Sequence, residues 1–151
     1  CWGANFDGQL NVPDGNFSHI TAGGEFNCAL SSDGSITCWG NNQSSQTTSV
    51  PVGSFDYVDA GGANACAISS GDGSLTCWGN SGFGVKNPPQ GSFVDVDVSA
   101  RHACAIRDNG ELSCWGAGTT SDGSDDLEFG QSIPPSGTYT NISTGFFHSA
   151  D

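Results

Sequence analysis

A tripeptide that returns at a nearly constant interval is the strongest constraint on how this chain folds. Cys-Trp-Gly occurs four times, at steps of 37, 39 and 37 residues, and begins at Cys1, Cys38, Cys77 and Cys114. A period of this length is typical of proteins that build one supersecondary unit many times and bury each unit against its neighbours. The sequence therefore predicts a repeat architecture.

Two further blocks keep the same register. The pattern Pro-x-Gly-x-aromatic-x-x-(Ile or Val) begins at Pro13, Pro51, Pro89 and Pro135. A small residue follows, and five positions later come Cys28, Cys66, Cys104 and, in the last copy, Ala150. These blocks divide one domain into four repeats, with boundaries 1–37, 38–76, 77–113 and 114–151.

Each unit reads as short strands joined by turns. Pro-x-Gly predicts a turn, and the apolar residues after it predict a strand. In the first copy, the two runs from Cys28 to Trp39 flank Asp33-Gly34, which predicts a β-hairpin. The chain has 23 Gly and no Met, which disfavours helices. Units of four strands and about 40 residues predict an all-β propeller or solenoid.

These motifs resemble one known family. The segment from Ser99 to Ile106, the Asp-Gly hairpin, Cys-Trp-Gly and the segment from Asn5 to Leu10 together resemble the regulator of chromosome condensation repeat. The resemblance covers essentially the whole chain. It implies a β-propeller, in which the blades form a closed ring, commonly of seven blades. We therefore expect this chain to be a fragment of a seven-bladed ring, with assembly from several chains as the alternative.

Six of the seven cysteines flank hairpin turns, with nine or ten residues between the two members of a pair. The members can lie opposite each other on antiparallel strands and form the disulfides Cys28–Cys38, Cys66–Cys77 and Cys104–Cys114. A zinc site is the alternative, although thiolate zinc sites usually have Cys-x-x-Cys knuckles. Disulfides predict an oxidising compartment and thus a secreted or extracellular-surface protein. Cys1 has no partner, as expected if its partner lies about ten residues upstream.

The charge balance limits the partners. The chain has 16 acidic residues and a net charge of −13, and its basic residues are Lys86, Arg101 and Arg107. Such a charge disfavours nucleic acid and anionic membrane surfaces. No run approaches the roughly 20 apolar residues that a membrane-spanning helix needs. We therefore expect neither nucleic acid as a partner nor a membrane span.

The fourth repeat departs from the period. Cys114 and Pro135 are 21 residues apart, against 12 or 13 in the other copies, which places an insertion near Thr119 to Glu128. The insertion suits a solvated or partner-contacting loop, or a calcium site, although its spacing is not that of an EF-hand. Calcium is the one cofactor that the sequence suggests. We expect this loop to carry local recognition through four acidic groups: Asp122, Asp125, Asp126 and Glu128.

Other recurring residues have structural interpretations. Trp2, Trp39, Trp78 and Trp115 share one repeat position, and we expect each ring to pack between neighbouring blades, with a sugar-binding or partner-binding surface as the alternative. His102 and His148 share a position with Phe26 and Asn64. No nucleophile or carboxylate arrangement accompanies a histidine, so no catalytic site is predicted.

Three asparagines match the pattern of a glycosylation acceptor: Asn16, Asn42 and Asn141. Asn42 is the best candidate because it lies in the polar run from Asn41 to Ser49, which we interpret as an exposed loop.

The family resemblance implies recognition of another protein through loops on a rigid ring. The leading hypothesis is an extracellular or cell-surface module that binds protein or builds structure without catalysis. Its partner would be another protein, copies of itself or a surface assembly. The alternative is a secreted enzyme inhibitor like β-lactamase inhibitory protein II, a propeller of the same family.

Overall fold

The structure, a computed structural model, describes residues 1–119, 129–146 and 148–150, and its strands form small antiparallel sheets that we call blades 1 to 4. Blade 1 contains β1 (Phe17–Ala22), β2 (Phe26–Ser31) and β3 (Ile36–Gly40). Blade 2 contains β4 (Phe55–Gly61), β5 (Asn64–Ser69) and β6 (Leu75–Gly79). Blade 3 contains β7 (Phe93–Val98), β8 (His102–Arg107) and β9 (Leu112–Gly116). Blade 4 contains β10 (Ser143–Thr144) and β11 (Ser149–Ala150), and a short 3-10 helix spans Gly82–Gly84. The predicted all-β class is confirmed.

Blades 1 to 3 each have three strands in chain order, so the expectation of four strands per unit was wrong. The described residues of the segments that connect one blade to the next add no strand to either sheet. Proline has no N–H to donate to a strand ladder. Each of these connections carries proline shortly before the next blade begins: Pro51, Pro88, Pro89, Pro134 and Pro135.

A β-bulge explains why an aromatic and a branched residue recur three positions apart. The pairing of β4 with β5 shifts between Phe55 and Tyr57, and that of β7 with β8 shifts between Phe93 and Asp95. Regular alternation would put residues i and i+3 on opposite faces of a strand. The bulge brings Phe55 and Val58 into the same core.

The second and third strands of blades 1 to 3 form the predicted hairpins. Cys28 lies opposite Cys38 in the register, and the same holds in the next two blades. The structure contains the disulfides Cys28–Cys38, Cys66–Cys77 and Cys104–Cys114, with Cα–Cα distances of 4.0–4.1 Å. Within the described residues Cys1 is the free cysteine, and it is exposed.

The glycine of Cys-Trp-Gly has a fixed structural role. Gly40, Gly79 and Gly116 have φ of 105–106°, which other residues rarely adopt. A Cβ atom on Gly40 would also lie 2.8 Å from the Cα of Phe26, at the start of the neighbouring strand. The motif therefore ends the third strand where only glycine fits against the preceding turn.

The cores lie between blades. Phe26 and Leu30 of blade 1 pack with Val58 and Ala65 of blade 2, and the next two interfaces repeat this arrangement. The cysteines of the second strands are fully buried in these interfaces: Cys28, Cys66 and Cys104. A single blade has little interior of its own, so stacking supplies the apolar burial that stabilises the fold.

Hydrogen bonds also join the first strands of successive blades. The backbone N–H of Ala60 donates to the Thr21 hydroxyl at 3.1 Å, and that of Val98 donates to the Asp59 carboxylate at 2.7 Å. The N–H of Thr144 donates to the Asp97 carboxylate at 2.6 Å. The same repeat position in each blade therefore accepts a hydrogen bond from the next blade.

Three of the four recurring tryptophans pack as predicted between blades, and the fourth does not. Trp39, Trp78 and Trp115 are 3–8% exposed, whereas Trp2, which has no preceding repeat among the described residues, is 93% exposed. Each buried indole donates to a backbone carbonyl of the connection that precedes its own blade. No described residue takes that place beside Trp2.

Among the described residues, no helix has the length and apolar character needed to cross a membrane.

Candidate protein-binding face

The blades present two ends to solvent. One end, which we call the loop face, combines the turns between first and second strands with the connections that leave third strands. The N–H of Asn41 donates to Glu25 O, that of Asn80 to Ala63 O, and that of Ala117 to Arg101 O, all at 2.8–2.9 Å. At the other end, the hairpin turns bind the start of the next blade, as in the bond from Phe55 N to Gly34 O.

Each connection on the loop face is anchored at one point. The carbonyl seven residues after one tryptophan accepts the indole N–H of the next tryptophan, at 2.7–2.9 Å. These anchor residues are Gln9, Gln46 and Val85. Between tryptophan and anchor, the first residue is glycine in every copy, whereas the residues at the tip differ, as Asp7, Ser44 and Phe83 show. A constant frame therefore carries variable tips, which is how repeat scaffolds present binding residues.

The polar run 41–49 is only partly the exposed loop that the sequence predicts. Asn41 and Gln46 are buried, and their side chains accept backbone N–H bonds from Gln43 and Ser44 at 2.9 and 2.7 Å. Asn42 is exposed, as are Asn16 and Asn141. Glycosylation at these three positions stays a prediction.

An exposed cluster of two phenylalanines and an arginine lies where the tips from blades 2, 3 and 4 meet. The guanidinium carbon of Arg101 lies 5.3 Å from the ring centre of Phe83 and 4.9 Å from that of Phe146. The two rings are 44% and 52% exposed. Arginine and aromatic side chains are enriched in the energetic centres of protein interfaces.

The backbone of Phe83 supports a functional role for this cluster. Phe83 has φ 60°, a left-handed conformation that is uncommon for a bulky residue. Such conformations cost about 1–3 kcal/mol and are found most often at ligand-binding and active sites. The residue in this conformation carries a ring that is 44% exposed and lies beside the Arg101 guanidinium.

Sequence reasoning did not single out Phe83 or Phe146. Alignment of the repeats holds a signal that identifies both. Phe83 occupies the position of Asp7 and Ser44 in the first two copies, and Phe146 occupies that of Gly24, Gly62 and Ala100. Large aromatic residues thus replace polar or small ones at repeat positions that are exposed or partly exposed, a change that the shared packing does not require.

His102 lies in a buried hydrogen-bonded chain with two serines. Its Nδ1 is 2.9 Å from the Ser99 hydroxyl, and its Nε2 is 3.0 Å from the Ser149 hydroxyl of blade 4. Burial lowers the pKa of His102, so the ring is neutral and joins two blades through one donor and one acceptor nitrogen. Because the ring is fully buried, a substrate cannot reach it in this arrangement.

A row of acidic groups lies along the first strands. Burial raises the pKa of Asp59, while hydrogen bonds from Thr21 and Val98 act in the opposite direction. Burial also raises the pKa of Asp95 and of Tyr57, and neighbouring carboxylates raise both further. Tyr57 packs on His19, with ring centres 4.9 Å apart.

The described part of the chain holds no group of three or more His, Cys, Asp or Glu arranged to bind a metal ion. The predicted calcium ligands Asp122, Asp125, Asp126 and Glu128 lie outside the described residues. Both flanks of their segment lie on the loop face, because Ser132 N donates to Gly118 O at 3.0 Å beside Ala117. Calcium binding there stays a prediction.

Stacked antiparallel blades with these repeats place the chain in the class of β-propeller proteins. The regulator of chromosome condensation (RCC1) repeat matches residues 17–46 and 93–123. The chain therefore contains repeats of the regulator of chromosome condensation type, as the motifs indicated.

Solved structures of propeller proteins align with the chain. The ectodomain of the Arabidopsis thaliana receptor kinase ACR4 is 31% identical, with a TM-score of 0.69 over 89% of this chain and 45% of that one. The Physcomitrella patens CR4 ectodomain is 21% identical, with a TM-score of 0.70 over 89% of this chain and 35% of that one. Saccharomyces cerevisiae Prp20p, described with its binding to Gsp1p and histones, is 17% identical, with a TM-score of 0.74 over 98% and 50%. The chain thus spans half or less of each of these proteins.

Proposed function

We propose that this chain is a non-catalytic, extracellular protein-binding propeller module, and that the loop face of blades 2 to 4 binds the partner. The observation that carries the proposal is the exposed Phe83–Arg101–Phe146 cluster. Its three side chains come from three different loops of a rigid frame, and one of them has an unfavourable backbone conformation. A cluster of this kind has the composition of an interface centre.

The extracellular assignment rests on two observations. Three disulfides lie in or beside the cores between blades, so the reducing environment of the cytosol would oppose this fold. The relative that is 31% identical is a receptor-kinase ectodomain. We extend the same location to this chain.

Recognition of a protein, rather than catalysis, is supported by the structural hydrogen bonds that two buried polar side chains form between blades. His102, the histidine with serine neighbours, forms a buried hydrogen bond to Ser149 of the next blade. Asp59 accepts hydrogen bonds from both neighbouring blades. Prp20p, which has a similar fold, binds other proteins, namely Gsp1p and histones. The acidic insertion, whose flanks lie on the same loop face as Arg101, is proposed to contribute to recognition.

The proposal is tested by comparing partner binding to three forms of the chain. Proteins of the extracellular fraction of the source are captured on the native chain, on Phe83→Ala/Arg101→Ala, and on Val52→Ala. Val52 is fully exposed beside the hairpin turns, so it controls for loss of apolar surface elsewhere. The dissociation constant of each protein retained by the native chain is then measured. We expect the double variant to weaken binding at least tenfold and Val52→Ala to leave it unchanged.

Equal binding by the native chain and the double variant, with both folded, contradicts the assignment of the loop face. Retention of a secreted hydrolase with loss of its activity would favour the alternative, an enzyme inhibitor.

A further inference from the structure

A polar hollow of about 340 Å³ lies on the loop face, between the connection that follows blade 1 and the connection that follows blade 2. Its walls belong to residues 43–49 and 79–86. Both connections are anchored, because Gln46 O accepts the indole N–H of Trp78 and Val85 O accepts that of Trp115. Two buried tryptophans therefore hold the walls of the hollow in place.

The lining of the hollow is rich in hydrogen-bond donors and carries a single charge. It contains four serines, the side-chain amides of Gln43 and Asn80, and the exposed ammonium group of Lys86, and no carboxylate occurs among its described lining residues. Asn80 Nδ2 donates to Ser44 Oγ at 3.4 Å, so the Ser44 hydroxyl acts there as an acceptor and keeps its own proton for a ligand. Hydroxyl, amide and ammonium donors around one positive charge suit an anionic oxygen group.

The charge of Lys86 is unusual for this chain. Lys86 is the single lysine beside 16 acidic residues, and the first two copies have leucine and threonine at its repeat position. The other two cations are arginines with neighbours in their own blades or loops: Arg107 Nε donates to Ser113 Oγ at 2.8 Å, and Arg101 lies beside two phenylalanine rings. Lys86 thus adds a positive charge that the common packing of the repeats does not require.

One tight turn carries both Lys86 and the aromatic ring of Phe83. Between them in sequence lies Val85, which is fully buried and anchors Trp115. On one side of this anchor Phe83 contacts Arg101, and on the other side Lys86 lines the hollow. Three residues span at most about 11 Å, so a short segment of a partner can contact the ring and the ammonium group together.

Ser45 lines the hollow from a backbone conformation that favours glycine. Its φ is 61°, and the residues at the same repeat position, Gly8 and Gly84, have φ of 82° and 75°. A serine at such a position is conformationally less favourable than glycine, and departures of this kind are most common at ligand-binding sites. The change from glycine to serine supplies an exposed hydroxyl group to the lining.

We propose that this hollow binds a carboxylate of the protein partner, from an acidic segment whose adjoining apolar side chain packs on Phe83. The proposal rests on the loop face being the binding face, as proposed above. A basic segment would find no carboxylate among the described lining residues. The net charge of −13 does not prevent binding of an acidic segment, because repulsion between exposed charges is screened beyond about 8 Å at physiological ionic strength, whereas a contact with Lys86 is shorter.

The first test selects a library of random peptides, displayed on phage, on four forms of the chain at physiological ionic strength. The native chain and Lys86→Arg should enrich peptides with Asp or Glu next to an aromatic or aliphatic residue, and Lys86→Gln should lose the preference for Asp or Glu. Enrichment of basic peptides, of none, or of the same acidic peptides on Lys86→Gln overturns the proposal. The fourth form, Phe83→Ala/Arg101→Ala, separates the two proposals: if it retains the acidic peptides that Lys86→Gln loses, the carboxylate site stands and the cluster assignment fails.

The second test places the carboxylate beside Lys86. The most enriched peptide is synthesised with its carboxylate or with the matching amide, and each form is titrated against the native chain and Lys86→Gln. Either change should weaken binding by about fivefold, and both together should cost no more than one. Carbodiimide should then join the peptide carboxylate to the Lys86 amine as an amide, and Lys86→Arg should bind the peptide without this crosslink. Additive losses, or a crosslink to the terminal amine alone, contradict the proposed contact.

Discussion

Replacing Trp78 with alanine is expected to lower the free energy of unfolding by about 3–5 kcal/mol. The indole is buried in the core between blades 1 and 2, and its N–H donates to the carbonyl of Gln46 at 2.9 Å. The substitution leaves a cavity and removes the anchor of the connection 41–50. Urea denaturation followed by circular dichroism gives the change directly.

Trp2→Ala is the matched control, because the same side chain at the same repeat position is almost fully exposed. We expect this change to alter stability by less than about 0.5 kcal/mol. If Trp78→Ala leaves stability unchanged but abolishes partner binding, the tryptophans form a recognition surface and the assignment to the core is wrong.

Removal of one hairpin disulfide is also expected to lower stability strongly. Cys66→Ala/Cys77→Ala should lower the free energy of unfolding by about 3 kcal/mol, because the bridge spans 11 positions and restricts the unfolded chain. Cys66 is also fully buried between blades 2 and 3, so loss of its sulfur adds a packing cost. Thermal denaturation followed by circular dichroism should show a lower midpoint, and Cys1→Ser should match the native chain. A midpoint that does not fall shows that the bridge does not contribute to stability.

The repeated parts of this fold were predictable from sequence because each is dictated by local geometry. The spacing of Cys28 and Cys38 around an Asp-Gly turn determines that they face each other on a hairpin. The pattern of Phe55 and Val58, three positions apart, indicated a strand but not the bulge that brings both side chains to one core.

Contacts between repeats of the chain were not predictable in the same way. Trp2 carries the same motif as Trp78, yet it is exposed, because burial at this position comes from the preceding repeat and not from the motif itself. The strand count also depended on the connections, because their described residues do not pair with either neighbouring sheet.

The candidate site was the least predictable part. Phe83, Arg101 and Phe146 are far apart in sequence and belong to no repeated motif, so only the stacking of three blades shows that they meet. Comparison of repeat positions shows that Phe83 and Phe146 are unusual, but it does not show that both lie against the same arginine.

The central claim, that blades with internal hairpin disulfides build an extracellular propeller, is tested most directly by peptide mapping without reduction. The protein is recovered from its source with free thiols blocked at the first step, and its cysteine peptides are identified by mass spectrometry. The predicted result is three bridges, Cys28–Cys38, Cys66–Cys77 and Cys104–Cys114. Blocked free thiols at all six positions would contradict both the pairing and the extracellular location.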